Sequence, residues 1–501
     1  MQKVFDNPSQ LEALAKQKFG FPDFIMMENA ALALKNLILG KKSANQTKCL
    51  ILCGKGNNGG DGYALARLIK GELEPLIFTL EAPVAAEAKA QYTMCKKMGI
   101  PFITKKALLE LLNEYEKPQP CGLIIVDCLY GTGFKGQLAP QILKIIEAAN
   151  KAQALRIACD ISSALAFNAN YTLTMGEQKL ALYSDKAKAM SGNIIVANLG
   201  LERSLFENVM PAATHIHLVE PQDLKLPLRT NKAAHKGTFG HTAVFAGEKS
   251  GAAIISATAA MNFGSGLTSL IELEHSNLKQ FKISPELMIS PAIPAKTSCI
   301  VCGPGLDKSL TGALEQISTW IKSSANKNPA VVFDAGVFGK ENVINFLQKI
   351  QAKANARIVL TPHILEFYRF CKSLKIFPKQ MAQISVETLT EDPQIKILLG
   401  QKINSLFPNA TLVIKSANTF IVSDGQIYII NDGSPSLAKG GSGDVLAGMI
   451  AALLAQGYTA KDAAITGCYS HAAAAQKKGA SSYSLTPLKL IKALDNLTFH
   501  P

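Results

Sequence analysis

No apolar run in the 501-residue chain approaches the roughly 20 residues that a membrane-spanning helix needs; the longest, around Val445–Ala455, is far shorter. The opening residues MQKVFDNPSQ lack a basic segment leading into an apolar one, so no secretory signal is expected and a soluble, cytoplasmic protein is. There is one Trp and no long basic run with interleaved aromatics. A nucleic-acid partner is therefore not expected, and the net charge of +14 reads as a field that favours an anionic nucleotide. The ten cysteines are scattered, which argues for reduced core thiols and against a disulfide framework. Cys299-Ile300-Val301-Cys302 lies on an apolar strand without a second ligand pair, and His215-x-His217 lacks a third ligand, so neither reads as a metal site. Short repeats, heptads and low-complexity tracts are missing too.

What is present is an alternation of strand and helix patterns in a chain long enough for two cores. Helical patterns over Gln10–Lys18 and Ile25–Leu39 precede strands at Lys48–Cys53, Leu123–Asp127, Leu155–Asp160 and Asn193–Ala197. The polar segment after Val219 has no periodicity and reads as a linker. Beyond it the alternation restarts with strands at Thr242–Ala246, Leu267–Leu273, Cys299–Cys302, Val331–Asp334 and Arg357–Leu360, then a hairpin turning at Asp424-Gly425. The expected division is a domain over 1–218, a linker over 219–236 and a second domain over 237–501. Both domains are expected to be α/β, with ligands at the carboxyl ends of parallel strands.

In the first half, Gly54-Lys-Gly-Asn57-Asn58-Gly59-Gly60-Asp61-Gly62 follows a strand and opens a helix. Glycines there let backbone N–H groups converge on an anion at the positive end of the helix dipole. Two further strand ends carry acids, Asp127 before Gly131-Thr132-Gly133-Phe134-Lys135-Gly136-Gln137 and Asp160 before Ile161-Ser162-Ser163. Asp127, Asn58 and the Ser163 hydroxyl supply hard oxygens for a cation, and Asp160 with Lys135 forms a possible acid/base couple.

In the second half, Lys439-Gly440-Gly441-Ser442-Gly443-Asp444 leads into an apolar helix expected to be buried with its N-terminus facing a cavity. The glycines offer N–H groups to phosphate oxygens, and Asp444 is placed as a base toward a substrate hydroxyl. Lys415-Ser416-Ala417-Asn418-Thr419 sits between two hairpin strands where a loop can carry nucleotide contacts. His363 after Thr361-Pro362, and Gly303-Pro304-Gly305, end other strands. These residues alone leave open a small-molecule kinase that releases a phosphate ester and a non-catalytic nucleotide binder.

Together, Asn57-Asn58-Gly59-Gly60-Asp61, Asp127 with Gly131-Thr132-Gly133, and Asp160-Ile161-x-Ser163 resemble the epimerase domain of the NAD(P)H-hydrate repair enzymes. Lys236-Gly237, Gly303-Pro-Gly305, Thr361-Pro-His363 and Gly440-Gly-Ser-Gly-Asp444 resemble their dehydratase domain. The resemblance implies a Rossmann-like three-layer domain followed by a ribokinase-like α/β domain. It implies that the first interconverts R and S hydrates of NADH and NADPH (NADHX, NADPHX), with K⁺ on Asn58, Asp127 and Ser163 and substrate on Asn57–Asp61, Gly131–Gln137 and Asp160. It implies that the second dehydrates the S epimer, with Mg²⁺ and with ADP as co-substrate. Substrate there would meet Ala252, Gly305, His363 and Asp444, and nucleotide would meet Lys415–Thr419 and Gly440–Gly443. A homo-oligomer is expected. The chain departs from the family pattern at Ser162, Ala164, Gly336 and Lys439, the last being a further candidate phosphate contact.

Overall fold

A computed structural model describes residues 1–117, 122–134, 136–209, 215–322, 328–350, 356–378, 384–477 and 482–497. The chain divides into two compact units, Lys3–Thr214 and Met1–Gln2 with His215–Pro501. The division falls just before the expected one, because the strand Ile216–Leu218 pairs in parallel with Gln426–Ile430 of the second unit. The segment expected as a free linker is likewise tied to that unit. Its Lys225 donates through Nζ to Asp462 at 2.9 Å, and its backbone N–H bonds the Thr466 hydroxyl.

In the N-terminal unit the strands lie in the order Glu74–Thr79, Lys48–Cys53, Leu123–Cys128, Ala154–Cys159, Tyr171–Met175 and Asn193–Ala197, all parallel. Leu50, Ile51, Ile124, Ile125 and Ile157 are fully buried, as continuous apolar strands covered on both faces must be. The chain runs outward from Lys48–Cys53 to Glu74–Thr79, then returns to Leu123–Cys128 on the other side. That reversal opens a crevice at the strands' carboxyl ends. This is a Rossmann-like three-layer arrangement.

The C-terminal unit is ribokinase-like. Its sheet runs Met288–Ser290, Leu267–Glu272, His241–Ala246, Cys299–Cys302, Ala330–Phe333, Arg357–Leu360 and Ala410–Ile414 in parallel. Two antiparallel strands follow, Thr419–Ser423 and Gln426–Ile430. Asp424 and Gly425, both in the left-handed region, make the turn between them, the primed geometry that matches strand twist. The order reverses at His241–Ala246, again placing a crevice at the carboxyl ends.

The helix Ser442–Ala455 is buried almost throughout and packs on Ser250–Asn262. Gly448 makes that approach possible, since a Cβ there would stand 2.1 Å from the Ser256 carbonyl oxygen. Gly448→Ala is expected to push the helices apart and to lower the stability of this unit by about 1–3 kcal/mol, the usual scale of overpacking. A fall in the denaturant midpoint of dehydratase inactivation measures it, and an unchanged midpoint would refute the close packing.

Candidate active sites

In the N-terminal unit, the helix Asn57–Ile69 starts four residues after the strand Lys48–Cys53 ends, so its free N–H groups face the crevice. A cavity of about 600 Å³ opens there. Asn57, Asn58, Asp61, Gly131, Thr132, Gly133, Phe134 and Asp160 line it, with Glu12 and Lys179, two residues that motif reading missed. Gly59 and Gly60 are buried in the helix, and Gly136 and Gln137 are exposed and outside the lining.

Asp160 holds a left-handed backbone (φ 69°), and its carboxylate is fixed from three sides. Oδ2 accepts the Thr132 N–H at 3.3 Å; Oδ1 accepts the Met175 N–H at 3.3 Å and pairs with the Lys179 ammonium. Lys135 lies outside the described residues, and the cation that holds Asp160 is Lys179.

Asp61 is 9% exposed, and burial, reinforced by the Asp160 charge, raises its carboxyl far above the usual range even though the Cys159 thiol points at it. Asp127 is fully buried beneath the cavity, where Ser163 donates to it from Oγ at 2.6 Å and from N at 2.8 Å. Burial pushes its carboxyl up to about 6 against these hydrogen bonds. Asn58 has both side-chain polar atoms buried without a hydrogen-bond partner. Ala164 has φ 50°, which shows why the family favours glycine there, and the Ser162 hydroxyl bonds the Phe167 carbonyl.

In the C-terminal unit, Gly441 (φ 90°) turns the chain into the helix Ser442–Ala455, whose first turn carries Asp444. Three groups fix that turn. The Ser256 hydroxyl donates to the Asp444 carbonyl at 2.8 Å, while His471 Nε2 contacts both the Ser442 carbonyl (3.0 Å) and the Ser442 hydroxyl (3.2 Å). Burial lowers His471 to about 4, so it acts as a neutral donor. Burial, then the Asp334 charge, raises Asp444 to about 7 against the opposing influence of Lys415.

Asp334, 2% exposed, ends the strand Ala330–Phe333; its Oδ1 accepts Lys415 Nζ at 2.6 Å and the Thr361 hydroxyl at 2.8 Å. A side-chain carbon at Gly443 would lie 3.3 Å from Lys415 Nζ, so the ion pair packs under the glycine turn. Asp334 is thus a site residue that sequence reading had noted only for its neighbour Gly336.

Ala252 lies one helical turn before Ser256 and bonds Lys249, which also bonds the Gly305 carbonyl at 3.0 Å. Those two expected substrate residues therefore sit together near Asp444. His363 bridges to Lys415 but caps the helix Ile364–Ser373, its Nδ1 accepting the Glu366 N–H, with its side chain half exposed. The Ser416 hydroxyl accepts from the buried Lys396 at 3.0 Å, bracing the loop Lys415–Thr419. The exposed Lys439 Nζ donates to the Tyr483 carbonyl at 2.7 Å.

Fold and sites define a two-site α/β enzyme, one site a carboxyl-lined cavity and the other an anion-cradling helix N-terminus with a basic carboxylate. A family described as NAD(P)H-hydrate dehydratase matches residues 242–496, and one described as YjeF-related protein N-terminus matches 23–181. The bifunctional NAD(P)H-hydrate repair enzyme of Helicobacter pylori is 36% identical over 99% of this chain and 100% of its own. An NAD(P)H-hydrate epimerase of Rhodopirellula baltica is 32% identical over 39% of this chain and 83% of its own. The structure of an ADP/ATP-dependent NAD(P)H-hydrate dehydratase from Bacillus subtilis, co-crystallised with ATP and Mg²⁺, covers 54% of this chain and 92% of its own at 25% identity and a TM-score of 0.43. With a relative this similar along its whole length, the chain belongs to the family of bifunctional NAD(P)H-hydrate repair enzymes.

Proposed function

We propose that this protein repairs hydrated NADH and NADPH, the N-terminal unit interconverting R and S hydrates and the C-terminal unit dehydrating the S epimer with ADP to give NAD(P)H, AMP and phosphate. The observation that carries it is the pairing, in one chain, of a cavity holding a buried and an ion-paired carboxyl with a glycine turn followed by a basic aspartate.

The hydrated carbon bears a hydroxyl beside the ring nitrogen. Asp61 donates its proton to that hydroxyl, which leaves as water while the nitrogen lone pair forms the C=N⁺ bond. Water then adds to either face, and Asp160 accepts its proton. In the second unit Asp444 takes the proton of the substrate hydroxyl, which attacks the terminal phosphoryl of ADP lodged on the N–H groups of Gly440–Gly443. Elimination of phosphate from the ester, with loss of a ring proton, regenerates the dihydronicotinamide.

The orphaned buried Asn58 amide supplies an oxygen without a partner, and with the Asp127 and Ser163 oxygens this donor set fits K⁺, held by Asn58, Asp127 and Ser163. Bound there, K⁺ supplies fixed positive charge. Replacing K⁺ by choline is expected to slow epimerisation several-fold and to spare dehydration in the same preparation; equal rates in both salts would remove the ion from the scheme. Mg²⁺ would arrive with the nucleotide, held by its phosphates and their water.

Among the described residues no helix is long and apolar enough to cross a membrane. All nine described cysteines are free thiols, which supports a cytoplasmic location. The exposed Phe24, Ile25 and Leu32 on the helix Asp23–Lys41 support a homo-oligomer, to be checked by light scattering. Incubating the purified protein with hydrated NADH and either ADP or ATP, and following the return of reduced-nicotinamide absorbance, tests the whole reading. Recovery faster with ADP is expected. A stable phosphate ester without recovery indicates a kinase, and neither product indicates a binder.

A further inference from the structure

The cavity of the N-terminal unit contains a lysine that the scheme above does not use. Lys179 belongs to the two-residue strand Gln178–Lys179, pinned by parallel pairing of Val4 with Gln178 and Phe5 with Lys179. It is 2% exposed, yet its ammonium reaches the cavity wall, where it pairs with Asp160. Behind it stands Glu177, fully buried, whose carboxyl oxygens accept no hydrogen bond and whose Oε1 is 3.5 Å from Lys179 Nζ.

Glu12 faces the same group from the helix Pro8–Phe19 and Asp61 from the helix Asn57–Ile69; Lys55 and Glu81 stand at the rim of the cavity. Four carboxyls thus surround one ammonium. Burial alone would strip the proton from Lys179, but Asp160, Glu177 and Glu12 more than offset it and raise the ammonium above its usual range. Burial pushes Glu177 up to about 8, with Lys179 opposing, and raises Glu12 as well. Among the described residues the carboxylate that the ammonium approaches most closely is that of Asp160.

We propose that Lys179 is the positioning residue of the epimerase site, orienting Asp160 and holding it as the anion that accepts the proton, with Glu177 as its buried counter-group. The inference rests on the epimerase reading. A buried ammonium spends its charge on whichever carboxylate it touches, because little water is available to screen it. Loss of that cation leaves Asp160 among like charges, where it takes up a proton at higher pH. The acidic limb of the epimerisation rate, below which the acceptor is protonated, must then move upward.

The test compares wild type, Lys179→Met and Lys179→Arg in the full-length chain, with epimerisation of R hydrate and dehydration of S hydrate measured separately across pH. Lys179→Met is expected to lower epimerase kcat by about 100-fold, the scale of an acid–base contribution, with little change in KM and with the acidic limb displaced to higher pH. Lys179→Arg is expected to keep the limb at its wild-type position and to recover part of the rate. Dehydration should be unaffected in both. A Lys179→Met variant that epimerises at a near-wild-type rate, or whose acidic limb stays in place, overturns the proposal. Should that variant fail to fold, Lys179→Arg decides: a wild-type limb upholds the proposal, and a displaced one overturns it. Wild type that does not epimerise would overturn the function on which this rests, a result distinct from active wild type beside an unaffected variant.

Discussion

Asp160→Asn is expected to stop epimerisation while leaving dehydration of the S hydrate at its wild-type rate. Asparagine is among the residues that tolerate the left-handed backbone at this position, and its side-chain oxygen can still accept one of the Thr132 and Met175 N–H groups, the other bond being lost to the amide NH2. What it removes is the charge paired with Lys179 and the capacity to accept a proton, worth about 100-fold or more in rate. The substitution removes the carboxylate that the Lys179 ammonium touches and leaves Glu177 and Glu12 as its remaining counter-charges, so some loss of thermal stability accompanies it, and circular dichroism is needed to show that the unit remains folded. The decisive assay supplies an R/S mixture with excess ADP. Wild type consumes all of it, whereas the variant halts after the S fraction apart from slow spontaneous epimerisation. Complete consumption at the wild-type rate would reduce Asp160 to a turn residue. Loss of S dehydration as well would show that the two compact units do not work independently.

Asp444→Asn is expected to have the mirror-image effect, a loss of dehydration by about 100-fold or more with nucleotide binding and epimerisation retained. The first turn of its helix is held by Ser256 and His471 through backbone atoms, which the substitution does not touch. The same carboxyl sets a pH dependence. Raised to about 7 by burial and by Asp334, it is the ionised base above that value and is protonated below it. Dehydration should therefore fall as pH drops through about 7. Asp334→Asn should move that limb downward, because it removes the neighbouring negative charge and releases the Lys415 ammonium toward Asp444. Near-wild-type turnover in Asp444→Asn, or a limb that Asp334→Asn leaves unmoved, would contradict the assignment.

The residues that sequence reading could reach share one property: each lies at a strand end or in a glycine-rich turn. Asn57–Asp61, Asp127, Asp160 and Gly440–Asp444 were legible for that reason, since a tight strand-to-helix turn needs its glycines and its cap in consecutive positions. Lys135 was chosen by the same rule, as the lysine nearest a glycine loop. Lys135 lies outside the described residues, and a second cation that meets Asp160, Lys179, comes from a strand 19 residues later, beyond the reach of such a rule. The segment 219–236 was read as a linker from its polarity, yet Lys225 bonds a helix more than 200 residues away.

By itself the sequence determined the two α/β halves, the anion turns and the carboxylates at the strand ends, because alternation and turn chemistry are written in neighbouring residues. Only the tertiary structure decided which polar groups meet: Lys179 with Asp160 and Glu177, Lys415 with Asp334, His471 with Ser442. Those contacts are made across strand pairings and helix packings that join distant parts of the chain, and no local period records them. They also decide the chemistry. A carboxyl becomes an acid or a base according to how deeply it is buried and which ion stands beside it, and both are properties of the packed molecule.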